Sequence, residues 1–146
     1  MPCPYKDGRM PTNIKAYELI SQKFDKPLAV SVPGPFTIAA ELAGVTHIAR
    51  SIIRNPGFVN GLVDFTTRMV SNYSKAITKH GVRLICISEP TGIILSPKKF
   101  EELISSNLRK VFVNLDTDAW KVLHVCGDST HLLQQHQLLF FLCFFP

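Results

Sequence analysis

No long hydrophobic run interrupts this sequence. Its longest uncharged apolar stretch, "LLFFLCFF" from Leu138 to Phe145, falls far short of the ~20 residues that a membrane-spanning helix needs. The N-terminus, "MPCPYKDGRMPTN", lacks the apolar core of a signal peptide. Both absences argue against an exported or membrane-inserted protein. Cysteine is sparse and unpatterned: Cys3, Cys86, Cys126 and Cys143 lie far apart with no repeated spacing. That excludes the disulfide framework of a small secreted domain and fits a reducing cytoplasm. Clustered charge is missing as well. The net charge of +5 comes from 16 Lys and Arg scattered between Lys6 and Lys121, with no run beyond the pairs Lys98-Lys99 and Arg109-Lys110. A nucleic-acid footprint gathers its cations on one face and interleaves aromatics, so nucleic acid is not an expected partner.

What is present is globular. A chain of 146 residues with 46% hydrophobic and 18% charged composition can bury one sizeable core, which makes it one domain or part of one. From Lys26 onward, short β-rich runs alternate with long amphipathic ones, the pattern of strand-helix units around a parallel sheet. "PLAVSVP", Pro27 to Pro33, reads as a first strand, "VRLICISEP", Val82 to Pro90, as a second, and "KVLHVCGD", Lys121 to Asp128, as a third. Between the first two, "FTIAAELAG" starts helical, and Asn55-Pro56 forms a cap and first turn for a long helix with Phe58, Leu62, Phe65, Met69, Tyr73 and Ile77 as its apolar stripe. Gly81 is its expected left-handed stop. Ser96-Pro97 caps the next helix, whose buried face is Phe100, Leu103, Ile104, Leu108, Val111 and Leu115.

The strand-end loops are where parallel α/β folds bind ligands. They carry Gly34, Glu89, His124 and Cys126. In a strand, residues two apart share a face, so His124 and Cys126 project together. An imidazole and a thiolate so placed can ligate one zinc ion, although a catalytic zinc takes three protein ligands and leaves one position open. The plainer alternative is a core cysteine beside a hydrogen-bonded histidine, and the pair by itself leaves both open. Glu89, alternating with Ile85 and Ile87, is expected at the same strand-end edge, where it either serves the site or caps the following loop. Cys86 is expected to pack toward the helices. The Gly34-Pro35 turn lets backbone approach a ligand, or is an ordinary tight turn. His47, His80, His131 and His136 have no ligand partner at a useful spacing and read as surface or tail residues.

The ordered series "PLAVSVPGPFTIAAELAG", "HGVRLICISEPTG", "LSPKKFEELISSNLRKV" and "LHVCGDST" resembles the uroporphyrinogen decarboxylase superfamily. Within it, the chain is similar to the methylcobamide:coenzyme M methyltransferases, over about Lys15 to Thr130. The resemblance implies a (β/α)8 barrel in which an H-x-C pair and a later cysteine hold a catalytic zinc. His124 and Cys126 match the first two ligands, Glu89 becomes an extra zinc ligand or an acceptor that orients His124, and Gly34 lies beside the bound ligand. It also implies a reaction, the transfer of a methyl group from a methylated corrinoid protein to the thiol of coenzyme M in methanogenesis. The decarboxylase branch, which makes porphyrins without a metal, usually carries a tyrosine a few residues after its G-x-P-[WF]-T segment. This chain has Glu41 there, which together with His124-Val125-Cys126 favours the zinc branch.

A (β/α)8 barrel takes ~250 residues, so the expectation is a partial TIM barrel of the α/β class: about three parallel strands with flanking helices. Residues 1–130 form this partial domain. The uncharged tail 131–146 has neither strand alternation nor a polar helical face and is expected to lie outside the family fold. Cys143 lacks polar neighbours, which leaves the third zinc ligand unassigned. The chain reads as a fragment of a cytoplasmic methyltransferase, inactive alone. A uroporphyrinogen decarboxylase and an inactive remnant or binding protein are the alternatives.

Overall fold

The β-rich runs pair in the order in which they occur along the chain. The computed structural model describes residues 1–115, 118–135 and 141–142. In it β1 (Leu28–Pro33), β2 (Val82–Ser88), β3 (Trp120–His124) and the two-residue β4 (Phe141–Leu142) form one sheet, ordered β1-β2-β3-β4. Each neighbouring pair is parallel. A doubly wound sheet would reverse its strand order partway. The sequential order found here, with helical crossovers, is an arc of a (β/α)8 barrel.

Helices α1 (Met10–Lys23), α2 (Pro35–Ala43), α3 (Val45–Arg54) and α4 (Pro56–Thr78) occupy the first half of the chain. After β2, α5 (Pro97–Phe100) runs through a π-helical turn at Glu101–Ser105 into α6 (Ser106–Val113). The expected boundaries have local causes. Asn55 Oδ1 accepts from the Phe58 amide at 3.3 Å and Ser96 Oγ from the Lys99 amide at 3.4 Å, each satisfying a donor that a helix start leaves unpaired. Gly81, at φ +91°, ends the α4 segment. Helices α1 and α3 had no sequence expectation. No single helix among the described residues is long and apolar enough to cross a membrane.

The core lies on one side of the sheet. Val30 and Val32, Ile85 and Ile87, and Leu123 and Val125 are buried there with Ile77, Leu108 and Val111 of the helices. On the other side, Ala29, Ser31 and Pro33 are exposed and Leu84, Cys86, Ser88 and Val122 are partly exposed. Trp120 is 66% exposed. Cys86, expected against the helices, thus sits on the uncovered face, paired in register with Ser31 and Val122. The alternation along β2 was right, but its covered face is the one that carries Ile85 and Ile87.

The α4 stripe also differs from expectation. The buried face is Val59, Val63, Thr66, Thr67, Val70, Ser74 and Ile77, while Phe58 is 40% exposed and Leu62, Phe65, Met69 and Tyr73 are only half-buried. Small side chains let α4 approach its neighbours closely, and the Thr66 and Thr67 hydroxyls are satisfied by carbonyls, Thr67 Oγ1 donating to Val63 O at 2.7 Å. Size and internal hydrogen bonding therefore outweighed hydrophobicity. The stripe expected for α5–α6 is buried from Phe100 to Leu115. In the tail 131–146, the 3₁₀ turn Thr130–Gln135 buries Leu132 completely, and β4 pairs through Val122↔Phe141 and Leu123↔Leu142. His136, Cys143 and the remaining tail residues lie outside the described residues.

Candidate metal centre

Because the sheet is parallel, β1, β2 and β3 end at one edge, and the residues just beyond them are brought together. The β3 ladder stops at His124. His124 Nε2 lies 2.7 Å from Cys126 Sγ, with His124 partly exposed and Cys126 exposed. Ser88 of β2 is the register partner of His124. Behind the pair the chain turns at Gly127, φ +84°, where a Cβ would come within 2.7 Å of Ile93 Cδ1. Asp128 Oδ1 then accepts from the Thr130 amide at 3.1 Å and its hydroxyl at 2.5 Å. The Thr130 hydroxyl, and then its amide, holds the Asp128 carboxyl below its ordinary range.

Two donors of a tetrahedral zinc, at normal Zn–N and Zn–S lengths, lie about 3.6 Å apart. The His124–Cys126 pair already converges and would need to open by about 1 Å, a small side-chain rotation, so the two residues fit two ligand positions. Among the described residues no third His, Cys, Asp or Glu joins them in a metal-holding group. His47 packs edge-on against Phe58, its ring centroid 5.7 Å away. His80 Nδ1 lies 3.9 Å from Glu18 Oε1 and His131 Nε2 3.3 Å from the Leu95 carbonyl. None of the three is at the pair.

Glu89 follows β2 directly and is fully buried. Its carboxylate turns to the start of α2, where Oε1 accepts from the Phe36 amide at 3.0 Å and Oε2 from the Thr37 amide at 2.8 Å and the Thr37 hydroxyl at 2.7 Å. An anion at a helix N-terminus meets unpaired amides and the positive end of the helix dipole. Burial nonetheless dominates and pushes this carboxyl up to about 7, against the three hydrogen bonds that favour the charged form. Gly34 makes the arrangement possible, since a Cβ there would lie 2.2 Å from Glu89 Cδ. The clearance that Gly34 supplies is filled by Glu89. On its main-chain side, the Glu89 amide donates to the His124 carbonyl at 2.8 Å and the Gly34 amide to the Ser88 carbonyl at 2.7 Å.

Two supporting residues were not anticipated, Thr37 and Thr66, whose Oγ1 lies 2.8 Å from the Pro35 carbonyl. A signal for the first was present: α2 starts after Gly34, which has no side chain to cap it, so its free amides needed an acceptor from elsewhere.

The comparisons with known proteins bear on the family and the fold. The uroporphyrinogen decarboxylase (URO-D) family profile matches residues 1–142. The chain is 26% identical over 130 residues to a methylated-thiol–coenzyme M methyltransferase of Methanosarcina mazei, covering 86% of this chain and 35% of that protein. It is 31% identical over 129 residues to the methylcobamide:CoM methyltransferase MtbA of the same species, covering 85% and 38%. A solved methyltransferase from Methanosarcina mazei superposes with a TM-score of 0.82 at 26% identity, over 90% of this chain and 40% of that one. The chain therefore spans little more than a third of the length of its curated relatives. With the match running from residue 1 to residue 142, the chain belongs to the uroporphyrinogen decarboxylase (URO-D) family and, within it, is related to methyltransferases.

Proposed function

We propose that this chain is part of a zinc-dependent methyltransferase that moves a methyl group from a methylated corrinoid protein to the thiol of coenzyme M, in the cytoplasm and in the service of methanogenesis. The observation that carries the proposal is the 2.7 Å approach of His124 Nε2 to Cys126 Sγ at the open strand end. The names of relatives that cover 85–86% of the chain support it.

His124 and Cys126 would hold the metal, with a third ligand from outside the described residues. Zinc bound there would lower the pKa of a coordinated thiol and keep its sulfur nucleophilic at neutral pH. The chain's own residues do the placing. Asp128 and Thr130 fix the loop after Cys126, and the exposure of Cys126 leaves the centre open to a substrate thiol. The Glu89 main chain supports the end of β3, its amide donating to the His124 carbonyl.

The protein carrying this chain should contain one zinc, lost in His124→Ala and in Cys126→Ser together with methyl transfer to coenzyme M. A zinc-free protein that decarboxylates uroporphyrinogen would place the chain in the metal-independent branch instead, and one with neither activity would make it a remnant or a binding protein.

A further inference from the structure

We infer that Glu89 is a positioning residue, a buried clamp whose carboxylate is anchored on α2 and whose main chain sets the end of β3 where His124 and Cys126 meet. This deepens the metal reading and rests on it. The clamp has two arms. The carboxylate takes three hydrogen bonds from the first turn of α2, two from amides and one from the Thr37 hydroxyl. The amide of the same residue donates to the His124 carbonyl at 2.8 Å.

Geometry separates this role from that of a ligand. Both carboxylate oxygens are engaged with α2, and the side chain is fully buried on the helix-covered side. His124, by contrast, belongs to the partly exposed face. Glu89 thus acts on the centre through its backbone. β2 ends at Ser88, and the Glu89–His124 bond closes the last rung of the β2–β3 ladder, Ser88↔His124, at the level of the pair. Helix α2 is itself held from behind by Thr66 of α4, whose hydroxyl lies 2.8 Å from the Pro35 carbonyl. A continuous path therefore runs from α4 through the first turn of α2 and Glu89 to the main chain of His124. Gly34 belongs to the clamp, because any side chain there would displace the carboxylate.

The test is a cobalt(II) titration of wild type, Glu89→Ala, Gly34→Ala and the double variant, reading the thiolate-to-cobalt absorption that Cys126 supplies. It is run beside far-UV circular dichroism and the alkylation rate of Cys126 relative to Cys3, mapped by mass spectrometry. Glu89→Ala is expected to weaken cobalt binding about tenfold or more and to change the relative alkylation rate severalfold, with the helical signal retained. Gly34→Ala should do the same, yet add little in the Glu89→Ala background, where no carboxylate remains to be displaced. Glu102→Gln, an exposed carboxylate, should match wild type. Should Glu89→Ala fail to fold, Thr37→Val removes one of the three hydrogen bonds and should shift both readouts in the same direction by a smaller amount. Cobalt binding and alkylation in folded Glu89→Ala or Thr37→Val that equal wild type would overturn the clamp, and so would additive Gly34→Ala and Glu89→Ala effects. A wild-type chain without the cobalt band would count against the metal reading alone, since the alkylation arm still decides the clamp.

Discussion

A Cβ on Gly34 would lie 2.2 Å from Glu89 Cδ, so the missing side chain at one residue is the space for the carboxylate of another 55 positions later. The turn at the end of β1 and the carboxylate at the end of β2 are one structural unit, and the first turn of α2 is what they share.

That relationship sets the cost of filling the space. Gly34→Ala should destabilise the chain by about 1–3 kcal/mol, the usual range for overpacking a close contact, read as a lower midpoint in urea unfolding. An unchanged midpoint would mean that the carboxylate can move aside freely.

Thr66→Val should cost less, and for a different reason. It preserves shape but leaves the buried Pro35 carbonyl without the hydroxyl now 2.8 Å away. That carbonyl still accepts from its own helix, so the loss is that of one hydrogen bond, about 0.5–1.5 kcal/mol, and it should appear in thermal unfolding. Asn55→Ala, at the exposed start of α4, removes only a cap and should cost about 1 kcal/mol.

Glu89 gives stability a pH dependence. Its carboxyl is raised from 4.5 to about 7, chiefly by burial. Between those values the folded chain binds the proton more tightly than the unfolded chain, so stability falls as pH rises. The contribution is complete below 4.5 and lost as pH passes through about 7. Unfolding free energies of wild type and Glu89→Gln, measured across this window, should show the wild-type advantage shrinking with rising pH. A constant difference would show that the carboxyl titrates normally.

Much of the fold was legible because its punctuation is local. Asn55-Pro56, Ser96-Pro97 and Gly81 each impose a boundary through their own backbone chemistry, and the structure has those boundaries. What was not legible depends on neighbours. Alternation along β2 separates Ile85 and Ile87 from Leu84 and Cys86, but only the packed helices decide which set is covered. The α4 face turned toward Thr66 and Thr67 because close approach favours small residues, and these two hydroxyls bond to carbonyls of their own helix. Their spacing makes His124 and Cys126 neighbours on one strand face, whereas their reading as ligands came from the resemblance to the family. The Glu89 carboxylate was placed at the right edge, yet its direction follows from an uncapped helix 53 residues earlier in the chain, a demand that no local pattern expresses.

The most direct measurement is metal content. The protein carrying this chain, purified without chelator, should hold one zinc per molecule, and both His124→Ala and Cys126→Ser should lose it while keeping their far-UV circular dichroism. Zinc retained at full stoichiometry in either folded variant would show that the pair at the end of β3 is not the metal centre.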